Sequence, residues 1–276
     1  MPMEKFLSIE NTAFNITIGM YIISVVLYFL FFSIKNENYG RYGSYFVKAA
    51  FLFHTIALVV RGIGAKRMPL TNQYEFATSF AWGIALCFIL FEEKYKFRIM
   101  GTFVTPIIFI IIGYASMLNK GVRPLMPALQ SHWLTIHVTM AIISYGAFGV
   151  ACGISGMYLL REKFSKDEFF VKHMPSLLKL DLISYRAISL GYLFLTLVII
   201  TGAIWAERAW GRYWAWDPKE TWSFITWIIY SVYLHLRLTK GWKGKRAAIF
   251  SVIGFISVLF TYIGVNTLLP SIHSYV

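Results

Sequence analysis

A chain of 276 residues that is 58% hydrophobic and 18% aromatic, with 14% charged side chains and a mean hydropathy of +0.61, cannot hide its apolar surface in a soluble fold. The net charge of +13 fits cytoplasmic loops rich in Lys and Arg rather than a nucleic-acid footprint. Cys87 and Cys152 both lie inside apolar runs and form no Cys-x-x-Cys pair, so they read as small hydrophobes and not as redox or metal ligands.

A spanning helix needs about 20 mostly apolar residues. In chain order such stretches fall at residues 13–34, 46–63, 77–91, 101–118, 133–160, 187–205, 222–238 and 247–268. The third is short, and the fourth contains Pro106, which is expected to kink it. Residues 1–11 show no cleavable signal pattern. With no internal repeat and no room for a soluble domain, the prediction is an all-α integral membrane protein of about eight transmembrane helices, one multi-span domain over 1–276.

Orientation follows from the basic residues. When each Lys and Arg is assigned to its nearest loop, the loops after spans one, three, five and seven hold 17, against 9 for the other loops and the termini. Basic loops stay in the cytoplasm. Both termini, and the loop at about 206–222, are therefore expected on the outer side. The inner loop at 161–186 mixes charges with Phe169, Phe170, Leu177 and Leu178 and is expected to lie on the inner surface as an amphipathic segment.

This topology sorts the six histidines by depth. His132 and His137 stand at the outer start of span five, and His273 in the outer tail. His54 lies well inside span two, His235 near the inner end of span seven, and His173 in the inner loop. His132 and His173 read as ordinary interfacial residues. An ionisable side chain at membrane depth is costly and marks a partner, a ligand or a water-filled cavity, which singles out His54 and His235. No carboxylate lies one helical turn from either, and no His-Glu-x-x-His spacing occurs, so zinc and di-iron sites are unsupported. Isolated neutral imidazoles suit haem iron, whose porphyrin supplies the other four ligands.

Haem also needs a flat aromatic surface and cations for its propionates. "RAWGRYWAWDPKETWSF", residues 208–224, offers the first, and Arg208, Arg212 and Lys219 the second; Arg61, Lys66 and Arg67 in another outer loop are further candidates. An interfacial aromatic belt scatters its tryptophans among helix ends. Here six of the nine fall between Trp205 and Trp227. Trp205, Trp222 and Trp227 fit belt or packing roles, but Trp210, Trp214 and Trp216 do not. Asp217 and Glu220 have the spacing of a helix cap ahead of span seven.

"WGRYWAWDPKETW" closely resembles the tryptophan-rich WWD signature of the haem-handling membrane proteins of cytochrome c maturation. The continuation "DPKETWSFITWIIYSVYLHLR" is most similar to the CcsA (ResC) branch, relative to its siblings CcmC and CcmF. "HTIALVVRG", "NQYEFATSFAW", "SHWLTIHVTMAIISYGAF" and "GVNTLLPSIHSY" agree, so the resemblance covers nearly the whole chain after the first span.

The resemblance implies a haem b cargo, a CcsB (ResB) membrane partner, and attachment of haem to the Cys-x-x-Cys-His motif of apocytochrome c. It implies a bacterial inner membrane or a thylakoid membrane. It makes His137 and His273 outer haem ligands flanking a platform of Trp210, Gly211, Trp214, Trp216 and Asp217, and His235 a deeper ligand. The opposite number of His235 is a histidine of the CcsB portion or His54, and in the former case His54 only lines the path. Two other readings stay open: a haem exporter or chaperone without lyase activity, and a solute transporter gated by the aromatic loop.

Overall fold

The computed structural model describes residues 3–122, 124–164 and 172–269. Helix α1 is Met3–Ile34, α2 Glu37–Ala65 and α3 Gln73–Tyr95; a 3-10 turn at Arg98–Met100 leads into α4, Gly101–Ser116. After a second 3-10 turn at Pro127–Leu129 come α5 (His132–Lys163), α6 (Leu177–Trp210), α7 (Pro218–Lys240) and α8 (Lys245–Leu259). A π turn at Phe260–Gly264 joins α8 to the short α9, Val265–Leu268. Among the described residues there is no strand, as the all-α prediction requires.

Seven helices have the length and hydropathy of membrane spans, with Lys245–Leu268 counted as one. The remaining long helix, α7, is the expected seventh span. Its hydropathy is diluted by Tyr230, Tyr233, His235 and Arg237, three of them buried.

The helices run further than the apolar windows that announced them. Polar residues at their ends are satisfied locally, so the helix continues where the hydrophobic signal stops. Asn72 caps α3 by accepting from the Glu75 N–H at 2.8 Å, and Glu75 and Glu92 are buried within it, so the short third window is a 23-residue helix. The inner loop is correspondingly shorter than expected. Ser176 caps α6, and Leu177 and Leu178 belong to its first turn instead of a surface segment. Phe169 and Phe170 lie outside the described residues. Pro106 is accommodated inside a continuous α4.

The chain divides into two compact units, Met1–Arg123 and Pro124–Val276. In the first, α1 packs along α2 and α3 along α4. Tyr28 lies so close to Gly101 that a Cβ there would sit 2.2 Å from the ring, which fixes glycine at the start of α4. One end of the unit is tied by Arg61, which reaches Glu10 at 3.0 Å and Glu75 at 2.9 Å, all three buried. At the other end the Glu92 carboxylate accepts from Tyr28 Oη and Ser44 Oγ, both at 2.5 Å. Buried charges and hydroxyls are thus paired, as a low-dielectric interior demands.

In the second unit α5 is the central helix. Its buried Ser144, Ala147, Ala151 and Ser155 fall on one face and form a small-residue seam, while Gly146, Gly149 and Gly153 lie on the opposite face. The seam lets α6 approach closely enough for Ser144 Oγ to donate to the Gly191 carbonyl at 2.8 Å and for Ser155 and Ser184 to bond at 2.8 Å. Tyr230 of α7 stacks on Phe148 with centroids 3.7 Å apart. Thr226 bonds Ser257 at 2.6 Å, tying α7 to α8. Asp181 of α6 receives Arg237 of α7 at 2.6 Å and the Gly244 N–H at 2.9 Å.

Candidate functional site

Helix α6 stops at Gly211, whose φ of 72° places it in the left-handed region and whose N–H returns to the Glu207 carbonyl at 2.7 Å. Helix α7 starts on Asp217 with the expected cap. The Asp217 carboxylate accepts from the Lys219 N–H at 3.1 Å, and Glu220 Oε2 accepts from the Asp217 N–H at 3.2 Å and the Ala215 N–H at 2.7 Å. Both carboxylates therefore hold the loop in shape.

Between these stops Trp216 has a φ of 56°, an uncommon conformation for so bulky a residue. It is held there by the Glu220 bonds on either side and by Thr221 Oγ1, which donates to the Trp216 carbonyl at 3.2 Å. The strain turns the Trp216 ring outward, where it is 67% exposed. Trp214 meets it edge-on at 5.7 Å, and Phe224 backs both. Phe224 in turn stacks on Trp227, whose Nε1 donates to Thr196 Oγ1 at 3.0 Å. The Trp214 Nε1–H is buried with no hydrogen-bond partner. Such a donor is costly unless something supplies an acceptor.

His137 stands on α5 across from α6. Its Nδ1 lies 2.9 Å from the Val198 carbonyl. A carbonyl only accepts, so Nδ1 carries the proton and the neutral ring keeps its lone pair on Nε2. The ring lies over Gly202, where a Cβ would come within 2.8 Å of Cε1, and stacks at 16° on Trp205. Trp205 is buried and meets Trp210 edge-on at 6.4 Å, linking the histidine to the start of the loop.

The cations are mixed. Arg208 lies over the Trp133 ring at 5.5 Å, and Arg212 is exposed. Lys219 is half-buried in the first turn of α7. Arg61, by contrast, is buried with Glu10 and Glu75, and Arg67 is bonded to Glu75 at 2.7 Å, so both hold the fold and neither faces a ligand.

His235 is exposed on α7, about 27 Å along the helix from Asp217 at 1.5 Å per residue. His54 belongs to the first unit. It is fully buried, with Nδ1 3.3 Å from Tyr21 Oη and Nε2 without a hydrogen-bond partner. His132 is exposed at the first residue of α5, His173 is partly buried, and His273 lies outside the described residues. The sequence did not announce Tyr21, Gly202 or Phe224 as supports. Trp205, Trp222 and Trp227 are packing residues, Trp222 lying against Phe260 at 4.2 Å.

Fold and site define a multi-pass, all-α membrane protein whose conspicuous surface is a rigid aromatic loop beside an oriented imidazole. Residues 70–273 match the family described as cytochrome C assembly protein, and the chain belongs to that family. It is 38% identical to the cytochrome c biogenesis protein CcsA of Guillardia theta over 97% of this chain and 96% of that protein. It is 35% identical to CcsA of Prochlorococcus marinus over 100% and 98%. Among solved structures it superposes on the cytochrome c heme lyase CcmF with a TM-score of 0.70 at 18% identity, covering 95% of this chain and 47% of that one. That likeness is one of fold, and this chain spans about half the CcmF length. The resemblance read from the tryptophan-rich stretch is borne out, and cytochrome c biogenesis is the process served.

Proposed function

We propose that this protein carries haem b to the outer face of its membrane and, with a CcsB/ResB-type partner, joins it to the Cys-x-x-Cys-His motif of apocytochrome c. The observation that carries the reading is His137, oriented by its Nδ1 bond to the Val198 carbonyl and by its stack on Trp205, beside the aromatic loop. The unpartnered Trp214 Nε1 and the outward-turned Trp216 fit a flat ligand with acceptor groups at its edge. His273 is the proposed opposing ligand, and His235 a ligand nearer the inner face, paired with His54 or a histidine of the partner. The basic-loop count supports an outer position for the aromatic loop and both termini, and the family resemblance supports a bacterial inner membrane or a thylakoid membrane.

In this reading haem is the substrate. The protein supplies binding, orientation and exclusion of water, and the reacting bonds belong to haem and thiols. Each cysteine S–H adds across one vinyl group: sulfur bonds the carbon next to the ring, and the proton ends on the terminal carbon. No net oxidation occurs, but haem and thiols must arrive reduced. The loop holds the vinyl edge outward, and the substrate histidine can displace an enzyme imidazole and release the product.

The test measures protein level, haem per protein and thioether-linked cytochrome c together in His137→Ala, His273→Ala and the double variant. Normal insertion with lowered haem and lowered holocytochrome is expected. Wild-type holocytochrome from the double variant overturns the platform. Intact haem loading by the wild type with no attachment in the presence of the partner and apocytochrome would favour the haem-chaperone alternative.

A further inference from the structure

A cationic cavity lies at the far end of the first unit from Arg61. There a cavity of about 250 Å³ opens between the first turns of α2 and the last turn of α3. Its wall carries four cations, Arg41, Lys48, Lys96 and Arg98, against two carboxylates, Glu92 and Glu93. Both carboxylates are already engaged. Glu92 is buried at the base and accepts from Tyr28 and Ser44, and Glu93 is bridged by Lys48 and by Lys96. Arg98 contacts Glu37 loosely at 3.6 Å and lies within electrostatic reach of Glu92, and Arg41 makes no ion pair among the described residues.

The wall is thus a cationic surplus, with the Arg41 guanidinium outside any ion pair among the described residues and that of Arg98 held only loosely. Guanidinium forks match phosphate oxygens in pairs. The depth is equally informative. The cavity sits where α2 and α3, both spans by length and hydropathy, leave the membrane. Tyr42 and Tyr45 beside it are 52% and 57% exposed, the position of rings at headgroup level. Among the described residues no histidine lines the cavity, and Tyr45 is its only aromatic, so that lining does not suit a porphyrin plane.

We infer that this cavity is a binding site for the phosphate headgroup of an anionic membrane lipid, with Arg41 and Arg98 as the phosphate-binding pair. Basic pockets between helix ends at a membrane face recognise headgroups in this way. Glu92 sets the shape of the site by fastening α1 and α2 to α3 beneath it. The consequence is a protein whose first unit is seated on one lipid class, independently of the aromatic loop.

The experiment is native mass spectrometry of the detergent-purified chain, titrated with equal concentrations of short-chain phosphatidylglycerol and phosphatidylcholine. The wild type is expected to retain phosphatidylglycerol at least tenfold more than phosphatidylcholine. An Arg41→Gln, Arg98→Gln double variant is expected to lose that preference. Should the double variant fail to fold, Arg41→Gln alone decides, since that side chain has no ion pair to lose. Equal retention of the two lipids, or an unchanged preference in the variant, overturns the site. So does displacement of the lipid by millimolar inorganic phosphate, which would make the ligand a free ion.

Discussion

Arg237 turns inward to Asp181, Nη2 to Oδ2 at 2.6 Å, while His235, two residues earlier on the same helix, is exposed. Two residues are roughly 200° of helix rotation, so the ion pair that buries one side chain turns the other out. Breaking a buried pair by removing one partner costs about 3–5 kcal/mol, because a charge is stranded. Arg237→Met is therefore expected to lower the melting temperature in detergent and, with it, haem content. Asp181→Leu combined with Arg237→Met should recover stability. A single variant as stable as wild type would show that the pair does not fix α7.

His235 itself can be tested without disturbing that pair. His235→Gly should reduce haem per protein, and added imidazole should restore part of the absorption spectrum by occupying the vacated position. Unchanged haem content in the variant removes His235 from the ligand set.

Gly202 gives a narrower probe of the outer histidine. A methyl group there would stand 2.8 Å from His137 Cε1, too close to keep the ring on α6 and the bond to the Val198 carbonyl. Gly202→Ala should leave insertion unchanged, since alanine suits a helix. Haem retention should fall several-fold, toward the level of His137→Ala. A Gly202→Ala protein that holds haem as the wild type does would mean that the ring orientation is immaterial.

Trp216 carries backbone strain for the sake of its direction. A non-glycine residue in the left-handed region costs about 1–2 kcal/mol. Trp216→Gly is therefore expected to raise the melting temperature slightly or leave it unchanged while haem retention drops. Glu220→Ala, which removes the acceptor for two loop amides, should do the opposite to stability, by roughly 1–2 kcal/mol. Loss of stability in Trp216→Gly would show that the ring packs the fold and is not held out for a ligand.

Orientation has its own assay. A reporter active only outside the cytoplasm should be active when fused after Val276 and silent after Lys166. The reverse pattern would move the aromatic loop to the cytoplasmic side.

Helix number was legible because membrane spans are written in continuous apolar runs, and the Asp217–Glu220 cap because its spacing is local. Helix ends were not, since the Ser176 and Asn72 caps extend α6 and α3 into polar sequence that carries no hydropathy signal. The tryptophan excess pointed to the loop, but not to the inward turn of Trp205 or the outward turn of Trp216. Those depend on a positive φ and on rings contributed by Phe224 and His137 from elsewhere in the chain. Arg61 looked like an outer-loop cation; only the packing of α1 and α3 around it reveals Glu10 and Glu75. Long-range pairing of this kind leaves no trace in local spacing.

The π turn at Phe260–Gly264 sets how the chain leaves the last span. It inserts one extra residue into a single turn, so every position beyond it is rotated by roughly 100° from where an uninterrupted α-helix would carry it. Asn266, bonded through Nδ2 to the Tyr262 carbonyl at 2.6 Å, lies within that offset segment. The azimuth of Val265–Leu268 is thereby indexed to a five-residue irregularity. Deleting one residue there would preserve the helix yet turn these four side chains to a different bearing.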